Sequence, residues 1–157
     1  MFPSSDGGGR QFDLARAAHS TAAITPDLLR RVIAESCPRT RSLAQAGHTS
    51  RLQQLIGAQA WMDACLELLA CELPTWTLRR LVQTDGLWHC SLSRQPQLPV
   101  ELDDMAEARH EEASLAILEA VIEARRLAAP QADAFRSSSD RQPRAMAGIR
   151  LGCDNFI

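Results

Sequence analysis

Lysine is missing: every one of the 17 basic residues is arginine. With the abundant alanine this reads as the coding bias of a GC-rich genome, and it carries no mechanism. No Cys-x-x-Cys pair occurs among the five cysteines. Their odd number and irregular spacing exclude a disulfide framework and point to free thiols in a reducing cytoplasm. No stretch approaches the length of a membrane span, and the opening MFPSSDGGGR lacks the basic-then-apolar layout of a signal peptide. The expected location is therefore cytoplasmic. A glycine-rich phosphate loop is also lacking, because Gly7-Gly8-Gly9 precedes no predicted strand or helix and reads as linker. There is no internal repeat.

What is there suits one small domain. The chain has 157 residues, of which roughly a hundred are expected to be ordered, enough for one modest core. The net charge of −2 is uneven: residues 1–50 carry 6 Arg against 4 acids, residues 51–128 carry 7 against 12, and residues 129–157 carry 4 against 3. The part expected to fold is thus acidic, which argues against nucleic acid or an anionic membrane as partner.

The stretch from Thr75 to Arg94, TWTLRRLVQTDGLWHCSLSR, reads as two strands around Thr84-Asp85-Gly86. A two-residue Asp85-Gly86 turn would set Leu78 and Val82 on the face opposite Trp88, Cys90 and Leu92. A three-residue loop with Gly86 as a left-handed bulge removes that conflict. It predicts one apolar face of Trp76, Leu78, Val82, Trp88, Cys90 and Leu92, and an outer face of Thr77, Arg79, Leu81, Gln83, Leu87, His89, Ser91 and Ser93.

Helices flank this ribbon. Thr25-Pro26-Asp27 supplies an N-cap, a proline at the first helical position and an acid in the first turn, and it predicts a helix until Cys37-Pro38. The segment PRTRSLAQAG is expected to be a connector with one helical turn. Ser50 and Gln53 match a capping box ahead of a long helix over 51–72, whose wide apolar stripe ends at Leu73-Pro74. Asp104 and Glu107 match a second box ahead of a helix over 105–128, stopped by Ala129-Pro130. Between them QPQLPVELDD permits only a short edge strand at Val100 to Leu102.

The order helix, hairpin, polar loop, Ala-rich helix, with Trp88-His89-Cys90 in the second strand and LAILEAVIEA at 115–124, resembles small α-β-β-α sandwich modules of phage-derived and bacterial proteins. Over residues 51–127 it is similar to small α-proteobacterial proteins with no assigned function. The resemblance implies a fold and no functional residues.

Several constellations invite chemistry and have plainer readings. Glu107-x-x-His110 has the spacing of carboxylate-bridged di-iron bundles, which need the motif twice with two further Glu; it occurs once and is read as a solvated helix start. His89 and Cys90 are strand neighbours and point to opposite faces. Cys65 and Cys71 are too far apart on one helix for a shared metal or disulfide. Trp61, Trp76 and Trp88 are read as core, and Ser114 has no triad around it. A double-stranded-RNA module would need basic residues where this chain has Glu101, Asp103, Asp104, Glu107, Glu111 and Glu112.

The predicted architecture is α+β: two helices packed on one face of a β-hairpin with room for a third strand, an extra N-terminal helix and disordered tails. Residues 1–24 form the leader, 25–129 one α+β domain and 130–157 the tail. The expected role is a small non-catalytic interaction or regulatory protein with a candidate interface at Arg79, Leu81, Leu87 and His89. Its expected partner is an unknown protein or a second copy, with no nucleic acid, membrane, cofactor, metal or catalytic set. The alternative is a small-molecule- or metal-binding protein or minor enzyme with a site near His89 and the acidic 101–112 loop.

Overall fold

The computed structural model describes residues 7–138, and the side chains of residues 13–129. Its architecture is α+β, with helices on one face of a three-stranded antiparallel sheet of order β1-β2-β3. The elements are α1 (Gly7–His19), α2 (Pro26–Ser36), α3 (Pro38–Gln45), α4 (Ser50–Gly57), α5 (Trp61–Glu72), β1 (Thr77–Thr84), β2 (Leu87–Ser93), a 3-10 turn (Val100–Leu102), β3 (Ala106–His110) and α6 (Ala113–Ser138).

Local chemistry accounts for α2. Thr25 is extended (φ −126°, ψ 155°), its hydroxyl accepts from the Leu28 N–H at 3.2 Å, and Pro26 opens the helix. Leu28, Leu29 and Val32 are buried. The following connector is more helical than the sequence predicts, because Pro38 starts α3 directly and two long-range contacts fix it. Thr40 bonds Glu72, and Arg39 Nε donates to the Cys71 carbonyl at 3.0 Å.

The long helix expected over 51–72 is two helices. Gln59 adopts φ 57°, and the Ala60 N–H reaches back to the Leu55 carbonyl at 3.0 Å, the wrapping of a left-handed C-terminal stop. The bend lets Leu52 and Ile56 of α4 and Ala64, Cys65, Leu68 and Leu69 of α5 share one core. The expected Ser50/Gln53 box is not formed: Thr49 holds the cap position, without a side-chain hydrogen bond.

The hairpin turn also differs from expectation. Asp85 (φ 55°) and Gly86 (φ 81°) are both left-handed, and Thr84 pairs with Leu87, which makes a two-residue turn of the primed type whose twist matches the strands. The irregularity moves to the other end, where a bulge lies between Leu78 and Arg80. Leu81 therefore pairs with Cys90 and packs against the core, while Val82 pairs with His89 on the outer face. The expected faces of Leu81 and Val82 are exchanged, since a one-residue shift flips every side chain.

The third strand is not at Val100 to Leu102, which forms the 3-10 turn, but at Ala106–His110. It pairs antiparallel with β2, Leu92 opposite Ala106 through Trp88 opposite His110. This overrides the Asp104/Glu107 capping signal. Ala106 and Ala108 face the helices, where small side chains admit close packing, and Glu107 and Arg109 face out.

Helix α6 consequently begins at Ala113 rather than 105, and its backbone continues through the expected stop at Pro130 to Ser138. Its residues 113–124 are buried on nearly all sides, with Leu115, Ala116, Ile117, Leu118, Ala120, Val121, Ile122 and Ala124 in the core. It lies on β2 and β3, and α5 and α1 pack against it. Helix α1 occupies residues assigned from sequence to the leader, and buries Leu14 and Ala18. Residues 1–6 and 139–157, the rest of the expected leader and tail, lie outside the described residues. No helix among the described residues is long and apolar enough to cross a membrane.

Candidate functional site: the open face of the sheet

With the helices on one side, β1, β2 and β3 present their other face outward. Two cross-strand rows define it: Val82, His89 and Arg109, then Arg80, Ser91 and Glu107. Val82 and His89 are half-buried, while Arg80, Arg109 and Glu107 are exposed. Ser91 is covered by its neighbours and donates its hydroxyl to Glu107 Oε1 at 3.2 Å. At the hairpin end of this face Leu87 is 37% exposed.

The opposite end is closed by the segment after β2. Arg79, beside the bulge, donates to the Asp103 carboxylate and to the Leu98 carbonyl at 2.8 Å, and the Asp103 side chain is only 2% exposed. Ser93 Oγ donates to the same Asp103 oxygen at 2.6 Å and accepts the Gln95 N–H at 2.9 Å. This network fixes the 3-10 turn beside the sheet. Val100 and Met105 then form, with Arg79, Arg80, Ser91 and Glu107, a groove of about 190 Å³.

The candidate residues thus separate. Leu87 and His89 lie on the open face, Leu81 points into the core, and Arg79 is engaged with Asp103. The acidic 101–112 segment does not act as one cluster: Asp103 is paired, Glu107 lies on β3, and Glu112 precedes α6. Val82, Arg80, Arg109 and Glu107 are face residues that the sequence reading missed. The even-numbered alternation of β1 behind a two-residue turn was the signal for the first two.

Titratable side chains do meet elsewhere. His19 Nδ1 lies 3.5 Å from Glu119 Oε2, and the rings of His19 and His110 stand edge to face with centroids 6.2 Å apart. Burial holds the Glu119 carboxyl above its ordinary range, against the pull of His19 and His110. The cleft outside is about 480 Å³, lined by His19, Ser20, Thr21, Leu87, Arg109 and His110 among others. Its hydroxyls are not poised as nucleophiles, because Ser20 and Thr21 donate to the carbonyls of Arg16 and Ala17 one turn back. His110 Nδ1 accepts the Glu112 N–H at 3.0 Å, which puts a neutral ring's proton on Nε2.

Because 106–110 is a strand, Glu107 and His110 point to opposite faces, so the Glu-x-x-His spacing builds no shared site. Among the described residues no three His, Cys, Asp or Glu side chains gather to hold a metal ion. Burial pushes the thiols of Cys37, Cys65 and Cys90 up to about 12, which keeps them protonated and poorly nucleophilic at neutral pH. Comparison with family models, curated proteins and solved structures returns no match.

Proposed function

We propose that this chain is a non-catalytic interaction protein of the cytoplasm, of the adaptor or regulatory kind, whose docking surface is the open face of the sheet. Its proposed relatives are the small α-β-β-α bacterial modules that residues 51–127 resemble. One observation carries the reading. Among the described residues the helices cover a single face of the sheet, and the other presents half-buried Val82 and His89 between exposed Arg80, Arg109 and Glu107. Aliphatic and imidazole groups at the centre with charges around them are the composition of a modest protein interface. The buried, protonated thiols support a reducing compartment and argue against thiol catalysis.

Site-specific photocrosslinking tests it. A photoreactive residue at His89 is expected to give protein adducts in cells, and the same residue at Arg30, exposed on α2, is expected to give none. Equal yields from both positions, or no adduct from position 89, would overturn the reading.

A further inference from the structure

We propose that the occupant of the open face is a second copy of this chain, stacked face to face about a two-fold axis that lies in the interface and crosses the strands. This rests on the reading of that face as a docking surface. Residues two apart on a strand share a face and lie about 7 Å apart, so the rows Val82, His89, Arg109 and Arg80, Ser91, Glu107 are successive steps along the sheet. Rotation by a half-turn about an axis midway between the rows lays each row over the other. Glu107 then faces the second copy's Arg109, and the pairing is repeated by symmetry. Ser91 faces His89, and the aliphatic stem of Arg80 covers Val82.

Neither Arg80 nor Arg109 has an ion-pair partner among the described residues. Glu107 spends one oxygen on Ser91, and the other has no hydrogen-bond or ion-pair partner among the described residues. The face therefore carries charges of both signs placed so that it complements itself, the property an isologous interface requires.

The ends agree with the centre. One step beyond Val82 and His89 stand Thr84 and Leu87; one step beyond Arg80 and Ser91 is the groove under Val100. The same rotation brings Leu87, 37% exposed, over the groove beside Val100, 54% exposed. Two exposed large apolar residues are thereby placed together. A two-fold parallel to the strands would instead set the two 3-10 turns against each other and hold the faces apart, so the geometry selects the crossing axis.

The test is a charge-swap cycle on the full chain, read by sedimentation velocity from low to high micromolar concentration. The wild type is expected to dimerise. Glu107→Arg alone and Arg109→Glu alone should each weaken the dimer about tenfold or more by opposing like charges, and the double swap should restore it. Both positions are exposed, and unchanged circular dichroism for each variant separates association from folding. A wild type that stays monomeric at high micromolar concentration, or a double swap without rescue, overturns the proposal. The His89 crosslink distinguishes the two levels: an adduct with the mass of two chains is expected. A different protein there, with a monomeric wild type, removes the second copy and leaves the docking face standing, whereas no adduct removes both.

Discussion

Glu72 accepts two hydrogen bonds from Thr40 on a single carboxylate oxygen, the backbone N–H at 2.8 Å and the hydroxyl at 3.0 Å. Arg125 Nε lies 3.2 Å from the other oxygen, off line for a hydrogen bond, so that contact is Coulombic. One buried acid thus ties α3 to α5 and approaches α6, the helix on which the sheet rests.

Loss of that carboxylate should be costly. Glu72→Ala strands the Thr40 N–H and removes the partner of Arg125, and the expected loss is about 3 kcal/mol, tempered because Arg125 is partly solvated. Thr40→Val keeps the backbone bond and should cost about 1 kcal/mol. Urea unfolding of the two variants checks the order; equal losses would show that the Thr40 hydroxyl carries the interaction alone.

The hairpin turn has its own signature. Nothing lies within 4 Å of a Cβ built on Gly86, so Gly86→Ala should cost about 1–2 kcal/mol from its positive φ alone. Asp85 is also left-handed, so Asp85→Asn should be neutral while Asp85→Val destabilises. In a three-residue loop with Asp85 at negative φ, valine there would be tolerated. Thermal unfolding of Asp85→Val therefore decides between the two registers.

That comparison shows what kind of information the sequence holds. Helix α2 was legible to its ends because Thr25, Pro26 and Cys37-Pro38 act within a few residues of themselves. Strands β1 and β2 were legible from their apolar and β-branched residues, but their pairing was not: Asp85-Gly86 suits two loop lengths, and only the bulge beside Arg79, fixed by distant Asp103, reconciles the shorter one with the core. Strand β3 was hidden because Ala-Glu-Ala-Arg-His has helical propensity and is made a strand by its partner β2. Two of the missed face residues, Glu107 and Arg109, went with β3; the other two, Arg80 and Val82, went with the hairpin register, in which Val82 changed sides with Leu81.

Alkaline pH should unfold this protein through its thiols. Burial is the main cause that lifts Cys37, Cys65 and Cys90 from an ordinary value of 9.0 to about 12, with the Glu72 carboxylate adding to it at Cys37. The folded state then favours the neutral thiol. Below pH 9 both states hold the proton and nothing is lost; between 9 and about 12 the unfolded chain releases protons that the folded chain retains. Stability falls across that window by about 1.4 kcal/mol per pH unit for each thiol. A Cys65→Ala variant, although weaker at neutral pH, should show a shallower decline in stability from pH 9 upward. The same burial predicts that iodoacetamide at neutral pH modifies half-exposed Cys71 well before Cys65 or Cys90. Peptide mass spectrometry follows both, and equal labelling of Cys65 and Cys71 in folded protein would contradict the packing of α5 against α6.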